Sequence, residues 1–146
     1  MEPLETIRDF VNTADLEGGK DALTDPRAKR VREAIRMLLR ANNGIAGDVE
    51  QASRVLDDAA RLAGLRVGFA RGALAFRSYE RSRLAEVLAA VAEATADGSF
   101  ARLKACRSDT CQWAFVDSAR NRSRQWCDMA VCGNRAKARR YRSRHA

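Results

Sequence analysis

The first 105 residues contain no cysteine, and the whole chain has one histidine, His145, and two prolines. With no other histidine to act as a base, the sequence argues against a Ser–His or Cys–His hydrolase. No glycine-rich phosphate loop occurs either. The longest apolar stretch, "LAEVLAAVAEATA", is interrupted by glutamates and falls short of the roughly 20 residues a membrane helix needs. The opening "MEPLETIRDF" is acidic and mixed, unlike a secretory signal with its basic start and apolar middle. Low-complexity tracts and long repeats are absent. These absences describe a soluble, cytoplasmic protein that does not touch membranes and is not an enzyme. A hydrophobic fraction of 46% is enough to bury a core.

Charge is unevenly placed. Residues 1–100 carry 15 Lys/Arg against 16 Asp/Glu, whereas residues 101–146 carry 12 against 3. The entire net charge of +8 therefore comes from the last third. A nearly neutral body with a basic end points to a polyanionic partner, or to a solvated basic tail.

All four cysteines lie in the same third: Cys106, Cys111, Cys127 and Cys132, spaced C-x4-C-x15-C-x4-C. Buried core thiols would be scattered instead. Two disulfides are possible by count, but a reducing cytoplasm disfavours them. Two short-spaced pairs joined by a mid-length loop form the usual layout of a four-thiolate zinc site. A redox dithiol switch is the alternative. Four thiolates around Zn2+ leave a net charge of about −2, so nearby cations and N–H donors are needed.

Periodicity predicts a mainly helical N-terminal domain. "LETIRDFVNT" has Leu4, Ile7, Phe10 and Val11 at helical spacing. "ADLEGGKDALTDP" reads as a loop. A second helix carries Val31, Ala34, Ile35, Leu38 and Leu39, with Asn42-Asn43-Gly44 as its stop. A third runs from an Asp48 cap to Gly64, its face built from Val49, Ala52, Val55, Leu56 and Ala59. The period then changes to two. Leu65, Val67 and Phe69, then Leu74 and Phe76, predict a hairpin with Gly72 in the turn. A last helix holds Leu84, Val87, Leu88 and Val91 and stops at Asp97-Gly98. A boundary is expected near Gly98, giving domains 1–98 and 99–146, with "SFARLKA" as a helical link between them. The fold class is α+β.

In the cysteine module a knuckle at Cys106–Cys111, a strand in "QWAFVD", a loop, a closing knuckle and a helix from Asn134 resemble a treble-clef zinc finger. Gly133 either lets the backbone aim its N–H at sulfur or is an ordinary turn residue. Trp113, Phe115, Trp126 and Tyr141 are expected to form a miniature core rather than to stack on bases. Arg120, Arg122 and Arg124 lie between the knuckles. On the terminal helix Arg135, Arg139 and Arg142 share one face, and Lys137, Arg140 and Arg144 lie opposite. The surplus cations fit phosphate contacts. Asn134 and Arg135 are residue types that read base edges, although a helix-capping role for Asn134 is the preferred reading.

The stretch "ARLKACRSDTCQWAFVDSARNRSRQWCDMAVCGNRAKARRYRSR" closely resembles the CGNR zinc finger, named for the run Cys132-Gly133-Asn134-Arg135. "RDFVNTADLE" is similar to the opening of the ABATE domain that accompanies this finger in bacterial proteins. The resemblance implies one structural Zn2+ on the four cysteines and a stress-induced transcriptional regulator whose finger binds DNA. It departs from the family between "DALTDP" and "VREAIRMLL", where only Arg27 to Arg30 intervene, which implies an abbreviated N-terminal domain. Asn12 and Thr13 match the family's polar pair and are expected to fix the first helix to the core.

The leading function is a DNA-binding transcription regulator that contacts phosphates through Arg120, Arg122, Arg124, Asn134, Arg135, Lys137, Arg139, Arg140 and Arg142, while the N-terminal domain either mediates formation of a homodimer or senses a signal. RNA or ribosome binding is the first alternative. A zinc–thiolate redox sensor or a protein-interaction module is the second.

Overall fold

The computed structural model describes residues 2–145. Among these are five α-helices and three two-stranded antiparallel ladders. The order is α1 (Glu2–Val11), β1 (Ala14–Asp15), β2 (Lys20–Asp21), α2 (Pro26–Asn42), α3 (Val49–Ala63), β3 (Arg66–Ala70), β4 (Ala73–Arg77), α4 (Arg83–Asp97), β5 (Leu103–Ala105), β6 (Ala114–Val116) and α5 (Asn134–Arg144). The expected α+β class is observed. No helix among the described residues is long and apolar enough to cross a membrane.

Local chemistry accounts for most boundaries. Asp25 caps α2, with Pro26 at the first helical position, where a missing N–H costs nothing. Asp48 accepts from the Gln51 amide and starts α3. Gly64 and Gly98 end α3 and α4 with φ of +67° and +83°, a conformation that costs glycine little. Between β3 and β4, Arg71 and Gly72 both have positive φ. Two such residues make the turn whose twist matches a hairpin.

Two expectations change, and a third element is met with an exposed apolar side. The loop at residues 14–21 contains the short β1–β2 pairing, with Ala14 opposite Asp21. The "SFARLKA" link is a 3-10 turn (Ser99–Arg102) followed by β5 rather than a continuous helix, because Leu103 and Ala105 are held in register with Val116 and Ala114. The β3–β4 hairpin exists, but its apolar side faces outward. Val67 pairs with Phe76 and Phe69 with Leu74, and Val67, Phe69 and Leu74 remain 62%, 76% and 53% exposed.

The core gathers Ile7, Phe10 and Val11 of α1, Val31, Ile35 and Leu39 of α2, and Val87 and Leu88 of α4. Each fully buried large side chain contributes about 1.5–3 kcal/mol. Leu103, Ala105 and Ala114 belong to the same cluster, so the core runs on past Gly98 into the strands that carry the first cysteine pair. On α2, Leu38 is only half-buried. Arg32 and Arg36, by contrast, are 4% and 3% exposed. Arg32 makes two bonds to the Asp21 carboxylate, at 2.6 and 2.9 Å. Arg36 donates to Glu33 and to the carbonyls of Val11 and Gln112. Buried charges need such complete partnering.

Candidate metal centre and nucleic-acid interface

The β5–β6 ladder delivers the first knuckle. The Cys106 amide donates to the Trp113 carbonyl at 2.9 Å, and the amides of Cys111 and Gln112 both reach the Ser108 carbonyl. Gln112 has φ of +52°, which turns the chain back into β6. The second knuckle is built on Asp128. Its carboxylate accepts from the Ala130 amide at 2.8 Å. Its carbonyl accepts from the amides of Val131, Cys132 and Gly133. These bonds close a single π-helical turn, Met129–Gly133, which runs straight into α5.

The four sulfurs lie within 4.8 Å of one another, and none is in a disulfide. Cys111 and Cys127 are 3.6 Å apart and Cys127 and Cys132 are 3.8 Å apart, sulfur to sulfur. Zinc–thiolate bonds of about 2.3 Å in a tetrahedron put neighbouring sulfurs about 3.8 Å apart, so the donor set fits zinc in both chemistry and spacing. Cys106 and Cys132 are buried, while Cys111 and Cys127 are half-buried.

The thiols are unequal. At Cys106 burial pushes the thiol up, but backbone amides of Cys127 and Ser108 and the thiols of Cys132 and Cys127 outweigh it and leave the pKa lowered. Burial pushes Cys111 up to about 11. Burial and the crowding of Cys111 and Cys106 push Cys127 higher still. A cavity that disfavours several thiolates together is one that a dication stabilises. Arg135 adds a guanidinium 3.7 Å from the Cys132 sulfur.

The site is tied to the helices by side chains most of which sequence reasoning did not place there. Asn43 donates at 2.8 Å to the carbonyls of both Ala105 and Gln125, so one amide group joins the approaches to both cysteine pairs. Asn42 reaches the carbonyls of Phe100 and Leu103. Asn12 exchanges two bonds with the Ala114 backbone, and Thr13 donates to the Phe10 carbonyl. Thr13 also accepts from the Arg32 guanidinium at 3.3 Å, so the expectation that Asn12 and Thr13 fix the first helix is met. Lys104 and Asp117 form a buried pair at 2.8 Å, 7% and 0% exposed. Lys104 also holds the carbonyls of Arg122 and Arg124, and Asp117 the amides of Ala119 and Arg124. The arginine loop between the knuckles is thus anchored from beneath. No local periodicity marks these residues, because their partners lie up to 102 positions away.

The sequence-predicted contacts separate into groups. Arg120 and Arg122 are exposed on the loop. Arg124 is committed to the fold: it bonds the carbonyls of Trp126 and Cys127 and lies 4.5 Å over the Phe115 ring. Arg135 pairs with Glu17 at 3.1 Å. Lys137, Arg139, Arg140 and Arg142 are exposed on α5 and form no ion pair among the described residues. Asn134 does not cap the helix. Asp128, six residues earlier, caps the π turn that runs into α5, and Asn134 instead donates to the Ala130 carbonyl.

Gly133 does not aim its N–H at sulfur, since that N–H donates to Asp128. A Cβ there would meet only the Met129 side chain, which is exposed and flexible enough to move aside. The expected aromatic core is only partial. Phe115 is buried and Trp126 half-buried, but Trp113 and Tyr141 are 38% and 65% exposed. Trp113 lies at an open cleft with Arg8, Asn12 and Arg124, and Tyr141 packs on the His145 ring.

No curated protein matches the chain. Residues 102–145, the stretch that holds all four sulfurs and α5, match the family model of the CGNR zinc finger, and with the sulfur geometry this makes the site a zinc finger that holds one structural zinc ion.

Proposed function

We propose that the chain is a DNA-binding transcription regulator that grips the phosphate backbone through α5 and the Arg120–Arg122 loop. The observation that supports this most is α5 itself. It buries no residue, and its eleven residues include six cations and no acid. Like charges three and four residues apart cost a helix a few tenths of a kcal/mol per pair. Packing returns nothing here, whereas a polyanion lying along the helix returns the cost as counterion release.

Zinc in this reading fixes the N-terminal end of α5 against the first knuckle and so aims the helix. Four thiolates close the coordination sphere, so the ion has no open position for substrate, and no catalytic role is proposed. A treble-clef arrangement, a cytoplasmic setting and a stress-linked, ABATE-like role for residues 1–98 belong to the same reading. Asn12 and Thr13 take no ligand-binding part in it, because their side chains are spent on the fold.

Binding of the zinc-loaded protein to duplex DNA across a salt series tests the proposal. Four phosphate contacts give a log–log slope of about −3.6 and roughly a hundred-fold loss of affinity between 50 and 200 mM salt. A flat salt response, or no binding at low salt, would refute it. One observation favours a second reading. Trp113 is exposed beside Arg8 and Arg124, an arrangement suited to stacking an unpaired base. Structured RNA that outcompetes duplex DNA in the same experiment would select RNA binding instead.

A further inference from the structure

An open cleft of about 350 Å3 runs between the first knuckle and α5, lined by Ser108, Thr110, Arg135, Ala138, Arg139 and Arg142. Three guanidinium groups on one helix face thus converge with two hydroxyls from a separate segment. Of the two acids nearby, one is turned to an arginine outside the cleft and the other pairs with one of the cleft arginines. Asp109 bonds Arg40 at 2.6 Å and Glu17 bonds Arg135. The Ser108 and Thr110 hydroxyl oxygens are 3.2 Å apart. Ser108 is buried and Thr110 exposed. When Ser108 donates to Thr110, the Thr110 hydroxyl, which lines the cleft, keeps its own proton free to donate.

We propose that this cleft is a phosphate clamp: one phosphodiester of the bound nucleic acid sits between Arg139 and Arg142, accepts the Thr110 hydroxyl proton, and draws Arg135 away from Glu17. The clamp rests on the nucleic-acid reading given above and deepens it. Arginine forks match phosphate oxygens in geometry as well as charge. The exposed Glu17–Arg135 pair is weak enough for a phosphate to displace it. The hydroxyls lie between Cys106 and Cys111 and the arginines follow Cys132, so the four sulfurs set the width of the clamp. Ser108 acts as a positioning residue through Thr110.

The test uses the full zinc-loaded chain, duplex DNA over a salt series, and inorganic phosphate as a separate probe, with zinc content checked for every variant. Thr110→Val is expected to bind DNA about ten-fold more weakly with an unchanged salt slope, as one hydrogen bond to a charged group is lost. Thr110→Ser restores binding. Arg142→Gln lowers the slope by about 0.9. Arg54→Gln, on α3, changes neither quantity. If the wild type binds DNA and both Thr110→Val and Arg142→Gln bind like it, the clamp is overturned while the nucleic-acid reading stands. If the wild type binds neither DNA nor RNA, that reading falls. The cleft is then judged by phosphate alone. Stabilisation by phosphate that Thr110→Val abolishes identifies a site for a free phosphoryl group, and no stabilisation removes the clamp as well.

Discussion

Asn43→Ala tests the idea that helix α2 holds the zinc site together. The Asn43 side chain, 5% exposed, donates to the carbonyls of Ala105 and Gln125 at 2.8 Å each. Ala105 immediately precedes Cys106, and Gln125 lies two residues before Cys127. Alanine removes both bonds, at about 1 kcal/mol each, and strands the carbonyl of the fully buried Ala105 for about 1 kcal/mol more. The Gln125 carbonyl keeps the Arg107 amide at 3.1 Å, so it adds little beyond its lost bond. The expected total is about 3 kcal/mol. Urea unfolding of the zinc-loaded protein, followed by circular dichroism, reads it as a shift in midpoint at constant slope. Competition with a chromophoric chelator reads the second consequence, a zinc affinity weakened about ten-fold, in the range seen when groups that orient metal ligands are removed. A variant within 0.5 kcal/mol of wild type, with unchanged zinc affinity, would show that the two cysteine pairs meet without help from α2.

Two further perturbations probe the same construction. Asp117→Asn leaves the buried Lys104 ammonium without its carboxylate and is expected to cost about 3 kcal/mol, with faster hydrogen exchange at the Ala119 and Arg124 amides. Burial pushes the Asp117 carboxyl up, but the bond from Lys104 and the amides of Ala119 and Arg124 outweigh it and hold its pKa below the ordinary value. Its contribution is therefore complete above the ordinary carboxylate range near pH 4 and is lost only as pH falls through the lowered pKa. The difference between Asn and wild type should stay level from pH 8 to 5, and a gap that closes across that window would contradict the assignment. Cys132→Ser is expected to abolish stoichiometric zinc and to unfold at least residues 102–145, because metal binding supplies folding energy. Full zinc content with native spectra would remove Cys132 from the ligand set.

Much of this architecture was legible in the sequence because its causes are local. The cap at Asp48, the stops at Gly64 and Gly98 and the hairpin turn at Gly72 depend on residues a few positions apart. The four zinc ligands were legible for a related reason: two short-spaced pairs of thiols joined by a mid-length loop are the usual layout of a four-thiolate zinc site. The family resemblance added the identity of the finger and was met over residues 102–145. Local pattern was misleading where two neighbouring causes compete. At Asn134 the helical start had already been supplied by Asp128 and a π turn, so the asparagine was left to bond backward to Ala130.

By itself the sequence determined the helices, the hairpin, the metal and the basic end, because periodicity, backbone preference, thiol chemistry and net charge are properties of short stretches. Only the tertiary structure decided that the zinc finger shares a core with the helices, that Arg32 and Arg36 are interior residues, that Asn12, Asn42 and Asn43 bond to the finger's backbone, and that Lys104 and Asp117 support the arginine loop. The reason is the same in each case. A polar side chain is stable inside only if a distant segment presents a carbonyl, an amide or a carboxylate at hydrogen-bond distance, and that meeting exists only after the chain has closed on itself.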